Sequence, residues 1–386
     1  MNFVFLSPHF PPNYRHFCIR LRQLGVSVFG LADEPYDQLH PELVSSLTEY
    51  YRVHDMHQYD ELLRALGYFT YHYGKIDRLD SLNEYWLETE ARLRTDFNIF
   101  GISTKEIQGI KRKSQMKKIF MKAGVPVARG QIVHRLADGK RLIQEIGYPV
   151  VAKPDIGVGA ARTYKIHSPE ELQQFFSEKP PIDYIIEEFI QGTICSFDGL
   201  TDHEGKLVFY TAHEYSSGVM EAVNQDLNIY YYSLRQLPQD LEEAGKCVLK
   251  SFDVRERFFH FEFFRDAQNK LVALEVNMRP PGGLTTDMFN YANDIDIYRQ
   301  WANIIAYDKF TEDYSRKYHC AYIGRKSNRE YAHTHLQILS AYERFMVHHE
   351  PISGVFSTAL GDYGYLVRSP DMADIHEIAN YIQTTA

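Results

Sequence analysis

The sequence predicts a chain of α/β and α+β layers opening on a Rossmann-like unit, and three features predict it. An apolar run at 3–7 passes through a helical repeat into a second apolar run at 26–31. Between 127 and 197 short strands alternate with short helices. Two long apolar runs, 258–264 and 271–276, are separated by the polar turn Asp266-Ala267-Gln268-Asn269.

The opening unit reads as strand, helix, strand. Phe17, Leu21 and Leu24 recur at helical spacing, and Gly25 stops the helix before the second strand. Connecting loops of such units lie at the carboxyl ends of the strands, where open α/β sheets bind ligands. The loop Pro8-His9-Phe10-Pro11-Pro12-Asn13 lacks a GxGxxG fingerprint, which argues against a dinucleotide site. An amphipathic helix is predicted over 81–97, and Ser103 or Thr104 caps the next helical stretch. Residues 113–122 continue as helix until Gly124-Val125-Pro126, where glycine ends it and proline forbids continuation.

Past that hinge, strands are predicted at 131–134, 148–153, 163–166 and 184–188, with helices near 137–146 and 169–177, a small lid-like layer. A larger sheet follows, with strands at 195–201, 207–215, 258–264 and 271–276 and a helix over 238–252. Beyond about 310, strand and helix alternate weakly up to a final helix over 372–382. The expected boundaries are 1–102, 103–310 (lid 125–192, larger sheet 193–310) and 311–386.

With 386 residues, 44% hydrophobic and 14% aromatic, the chain exceeds one core and is not of disordered composition. Its net charge of −9 repels polyanions, so no nucleic-acid partner is expected. The basic run Lys111, Arg112, Lys113, Lys117, Lys118 and Lys122 reads as a solvated face, Lys113 excepted. Cys18, Cys195, Cys247 and Cys320 form no CxxC pair and read as buried, reduced thiols. Neither a signal segment nor an apolar run of about 20 residues is found, so no membrane partner is expected and cytoplasmic residence is the default.

Three segments carry chemistry. In Val150-Val151-Ala152-Lys153-Pro154-Asp155-Ile156-Gly157-Val158-Gly159, a lysine ending a buried strand precedes a glycine-containing loop. That arrangement sets an ammonium and bare backbone N–H groups against a phosphate; a hairpin with a rim lysine is the plain alternative. In Phe261-Glu262-Phe263 and Leu274-Glu275-Val276-Asn277, Glu275 and Asn277 share a strand face, and a hairpin brings Glu262 beside them. Buried carboxylates among Phe and Leu need a cation, and magnesium held by one or two carboxylates plus phosphates fits; the alternative is a solvent-facing side of the sheet. Arg279, ahead of Pro280-Pro281-Gly282-Gly283, could stabilise a transferring phosphoryl group while the glycines admit a substrate carboxylate; a surface arginine beside a plain turn is the equal alternative. Tyr184-Ile185-Ile186-Glu187-Glu188-Phe189-Ile190 offers backbone and apolar surface to adenine and a carboxylate to ribose, and is weak alone.

Taken in order over about 100–305, these segments resemble the ATP-grasp superfamily, especially its carboxylate-amine ligase and its biotin carboxylase-like or carbamoyl-phosphate-synthase-like members. The resemblance implies an ATP-grasp fold preceded by a pre-ATP-grasp α/β domain. It implies that Lys113, Lys153, Gly157 and Gly159 contact ATP phosphates and that Glu187, Glu188, Phe189 and Ile190 cradle the adenosine. It also implies that Glu262, Glu275 and Asn277 hold Mg2+ or Mn2+, with Lys153 and Arg279 serving catalysis. Asn13, His213, Arg279, Gly282 and Gly283 are the substrate candidates, with Ser7 to Asn13 and Glu84 as the region to search; Arg325 and Lys326 are weaker candidates for an anionic group. The loop after Lys153 is poorer in glycine and serine than in many members. No second ATP-grasp half or biotinyl lysine setting is present. The implied activity activates a carboxylate as an acyl phosphate and couples it to an amine, with small-molecule partners and a homodimer allowed. A small-molecule kinase and a non-catalytic ATP sensor are the rivals.

Overall fold

The computed structural model describes residues 1–157, 162–216, 226–352 and 354–386, the Val355 side chain excepted. The strands are β1 (Asn2–Leu6), β2 (Ser27–Ala32), β3 (Glu49–Arg52), β4 (Arg78–Asp80), β5 (Gly130–Val133), β6 (Val150–Pro154), β7 (Tyr164–Ile166) and β8 (Tyr184–Glu188). They continue as β9 (Gly192–Thr201), β10 (Leu207–Tyr215), β11 (Tyr230–Ser233), β12 (Phe258–Asp266), β13 (Leu271–Asn277), β14 (His319–Arg325), β15 (Met346–Pro351) and β16 (Tyr363–Ser369).

The first four strands form a parallel sheet in the order β3-β2-β1-β4. Phe3, Val4, Phe5 and Leu6 are fully buried, as a strand covered on both faces requires. The helix Arg15–Gln23 turns Phe17 and Leu21 inward. The helix predicted over 81–97 is shorter: a 3-10 turn at Glu84–Trp86 leads into Leu87–Asp96. Leu82 sits at φ 55°, in the left-handed region, so no right-handed helix can run through it, and the Asn83 side chain accepts from the Tyr85 N–H as the new start.

The lid layer is an antiparallel sheet in the order β5-β8-β6-β7, with the helices Leu136–Ile146 and Pro169–Glu178 packed on it. The larger sheet holds eight strands in the order β13-β12-β9-β10-β11-β14-β16-β15. The weakly alternating tail therefore supplies three strands to this sheet. β14 is buried on both faces, and a doubly covered strand loses the alternation that makes a strand legible.

One apolar core joins the first sheet to the largest. Phe17 packs edge-on against Tyr298 at 4.7 Å and Trp301 at 4.9 Å, both on the helix Ile297–Tyr307, and against Phe258 of β12 at 5.8 Å. Beside it lies a buried ionic cluster in which Arg257 reaches Asp80 and, at 3.3 Å, Glu90, while Arg94 holds Glu90 at 2.9 Å. Among the cysteines, Cys18, Cys195 and Cys320 are buried, but Cys247 is exposed: it lies on an outward side of the helix Gln239–Ser251, whose Leu241, Gly245, Val248 and Leu249 face the core.

Candidate active site

The lid and the larger sheet enclose a cavity of about 860 Å³, within the usual range for small-molecule sites. Two lysines are carried to it by different elements. Lys153 ends β6, and Lys113 begins the helix Lys113–Lys122. Asp155, fully buried, ties the two together: its carbonyl accepts from the Lys113 N–H at 2.9 Å and its carboxylate accepts from the Ser114 N–H at 2.8 Å. The loop after β6 is thus bonded to the start of that helix, where unpaired N–H groups favour a carboxylate. Lys113 Nζ donates to the Gly157 carbonyl at 3.3 Å and faces Glu275 at 3.1 Å. Gly159 lies outside the described residues.

Glu187 is buried and shared by two ammonium groups, Lys153 and Lys117, the latter at 2.7 Å. Burial would raise the Glu187 carboxyl, yet the two lysines hold it below its ordinary value. Lys117 is pushed down by burial and by repulsion from Lys153, because one carboxylate cannot compensate two cations. This end of the cavity carries surplus positive charge. The solvated face expected for the basic run holds for Lys118 and Lys122 but not for Lys111 and Lys117, both buried. Lys117 is four residues from Lys113 and so on the same helix face, a signal present in the sequence. Lys111 donates to the Glu84 carboxylate at 2.9 Å.

The face of the larger sheet next to these lysines carries carboxylates. Glu262 and Glu275 are direct cross-strand partners on β12 and β13, and Asn277 pairs with His260 on the same face. A β-bulge just beyond Glu262 then shifts the register. The three expected oxygen donors therefore come together on one face. Burial opposes ionisation of Glu275, but Lys113 and Lys153 bring it down to about 2. Further along the face a hydrogen-bonded line runs from His213 through Asp198 and His260 to Glu262, with separations of 2.7, 2.5 and 2.8 Å. Burial disfavours a charged His260, but Asp198 and Glu262 raise it to about 9. One imidazolium between two carboxylates leaves a negative charge uncompensated along that line. Among the described residues no three His, Cys, Asp or Glu side chains make a self-contained metal cage. Two carboxylates and an amide fit a dication that also takes phosphate oxygens.

The remaining candidates divide. Arg279, Gly282, Glu188, Phe189 and Ile190 line the cavity. Glu188 is engaged by Arg129 at 2.8 Å, and Lys165 stands 3.6 Å over the Phe189 ring. Glu187, expected with its neighbours at the adenosine, is engaged by Lys117 and Lys153. His213 is fully buried and bonded to Asp198 beneath the cavity wall. Asn13 is buried too, donating to Asp287 at 2.9 Å and to the Gly283 carbonyl at 3.3 Å, so it ties the first domain to the Gly282-Gly283 turn. Arg325 donates to the carbonyls of Ile382 and His333, and Lys326 pairs with Asp226, both structural uses. Sequence reasoning did not single out Asp198; its only signal is period-two spacing from Ser196 on a strand, which many core positions share.

Residues 146–287 match the family model of the ATP-grasp domain. The L-arginine-specific L-amino acid ligase of Bacillus subtilis is 24% identical over 243 residues, 61% of this chain and 59% of that protein. The carbamoyl phosphate synthase large chain of Clostridium acetobutylicum is 24% identical over 194 residues, 47% of this chain and 17% of that one. The chain thus spans less than two thirds of the length of these curated relatives. Among solved structures, the L-amino acid ligase of Bacillus licheniformis superposes with a TM-score of 0.75 at 13% identity, covering 98% of this chain and 96% of that one. This likeness shows a shared fold. No helix among the described residues is long and apolar enough to cross a membrane.

Proposed function

With residues 146–287 matching the ATP-grasp domain model, we propose that the chain is an ATP- and magnesium-dependent ligase, joining a carboxylate to an amine with release of ADP and phosphate. The observation that carries the reading is the charge pattern at the cavity: two ammonium groups, Lys117 and Lys153, share Glu187, two carboxylates, Asp198 and Glu262, share His260, and Lys113 pairs with Glu275 between them. A triphosphate with a dication is complementary to both kinds of cluster at once.

In this reading Lys113 and Lys153 bind phosphate oxygens, and Phe189 and Ile190 give the adenine an apolar floor. Glu262, Glu275 and Asn277 would hold magnesium, which supplies charge neutralisation when bound. Arg279, whose Nε lies 3.9 Å from the buried Glu84 carboxylate, is braced to face the equatorial oxygens of the moving phosphoryl group. A substrate carboxylate oxygen attacks the γ-phosphorus, forming an O–P bond as the bridging P–O bond to ADP breaks. The amine nitrogen then attacks the acyl carbon, the C–O bond to phosphate breaks, and the nitrogen's surplus proton leaves with the phosphate.

Glu275→Ala is expected to abolish carboxylate-dependent ADP formation, measured with magnesium and pooled small carboxylates and amines. Undiminished turnover removes the metal assignment. A stable phosphorylated product would identify a kinase instead, and ATP binding without turnover in the parent protein a sensor.

A further inference from the structure

The cavity does not end at the phosphate anchors. Its lining extends to Tyr215, Tyr231, Phe356, Ala359 and Leu360. Arg279, which helps to lower the Glu275 pKa, leads within four residues to the Gly282-Gly283 turn, where a Cβ would stand 3.5 Å from Phe356 Cε1 at Gly282 and 2.6 Å from Leu360 Cδ1 at Gly283. The strand register gives the distance. Across the face, Glu262 of β12 is followed by β9, then β10 bearing Tyr215, then β11 bearing Tyr231. At about 4.8 Å per strand these rings stand roughly 10–14 Å along the sheet from the Glu262 strand. The chamber thus lies on the opposite side of the Glu262 strand from Glu275 and its partner Lys113.

The walls of this chamber are built and not incidental. Tyr215, Tyr231 and Tyr322 form a stacked row with centroids 5.0 and 5.2 Å apart. The hydroxyls of the latter two are already used: Tyr231 Oη is 2.9 Å from Thr285 Oγ1, and Tyr322 Oη donates to the Leu360 carbonyl at 3.0 Å. The helix Gly354–Leu360 is seated by glycines. A Cβ at Gly283 would stand 2.6 Å from Leu360 Cδ1, and one at Gly324 would stand 1.9 Å from the Leu360 carbonyl oxygen. Phe10 of the first domain stacks on Phe356 at 5.4 Å, bracing the helix from outside. These five residues bring ring faces and aliphatic carbon, the neighbouring Thr285 hydroxyl is bonded to Tyr231, and Arg279, four residues before Gly283, is a cation of the same lining.

We propose that the acyl substrate is a carboxylic acid with an apolar side chain, its carboxylate held at Arg279 and its side chain filling the Tyr215–Tyr231–Phe356–Leu360 chamber; this rests on the ligase reading above. A buried charged side chain would find no partner on these walls and would bear the full cost of desolvation, which is how such a pocket discriminates.

The test traps the acyl phosphate with hydroxylamine, so that only the acid being activated is read. The full chain, ATP and magnesium are incubated with leucine, methionine, phenylalanine, arginine and glutamate in turn, and hydroxamate and ADP are measured. The expected result is a kcat/KM at least about tenfold higher for the apolar acids. Ala359→Trp, which fills the chamber, should raise their KM at least about tenfold with ATP affinity and melting temperature unchanged. Phe356→Ala, which enlarges it, should shift preference toward the largest apolar acid. Preference for arginine or glutamate, or an unaltered KM in a folded Ala359→Trp, overturns the substrate class while leaving a ligase. Absence of hydroxamate from every acid, with ATP bound, overturns the ligase reading and this inference with it.

Discussion

Asp198 shows how one residue decides the electrostatics of a whole face. Its carboxylate accepts from Ser196 at 2.6 Å and is flanked by His213 and His260 at 2.7 and 2.5 Å. Burial alone would raise its pKa, but the two imidazoles outweigh burial and hold it well below the carboxylate range. A depressed folded value means that its stabilisation is complete above the unfolded value of about 3.9 and is lost as pH falls below that. Denaturant unfolding from pH 6 to 2 should therefore show a steeper acid loss in the parent protein than in Asp198→Asn. Equal slopes would mean that the carboxylate is not held by these imidazoles.

At the scale of an element, the helix Gln239–Ser251 is set by a residue that weakens it in isolation. Gly245 costs a helix about 1 kcal/mol relative to alanine. Here a Cβ at that position would stand 2.3 Å from Phe197 Cδ1 on β9, so the glycine lets the helix lie directly on the sheet. Phe197 in turn stacks on Phe259 at 5.7 Å, which leaves the ring no room to yield. Overpacking of about 1–3 kcal/mol exceeds the propensity gain. Gly245→Ala is therefore expected to lower the melting temperature, and a rise would show that the helix can shift outward freely.

For the whole molecule, the first sheet and the largest are joined by charge as well as by aromatic packing. Arg257, at the start of β12, enters the first domain to meet Asp80 and Glu90, while Arg78 of β4 pairs with Glu256 in return. Arg257 is buried, which disfavours its charge, but the two carboxylates more than compensate. Removing it in Arg257→Met leaves Asp80 and Glu90 buried with Arg94 alone, a loss of about 3–5 kcal/mol. Urea unfolding should show a midpoint shift of that size. A negligible shift would mean that the cluster does not couple the two sheets.

Local pattern along the chain is enough to mark the segments proposed to carry chemistry, and their order. Lys113, Lys153, Glu262, Glu275 and Asn277 were legible as candidates because each lies in a helix or strand whose period places it on a definite face, and a charge beside a run of Phe or Leu has few uses. The βαβ opening, the lid strands and the β12–β13 hairpin were legible for the same reason. That Lys117 shares Glu187 with Lys153, that Asp198 gathers two histidines, and that the tail adds β14, β15 and β16 to the main sheet becomes visible in the folded chain alone. These features arise from contacts between positions far apart in the chain. Strands covered on both faces, such as β14, show little period-two alternation, so no local pattern announces them.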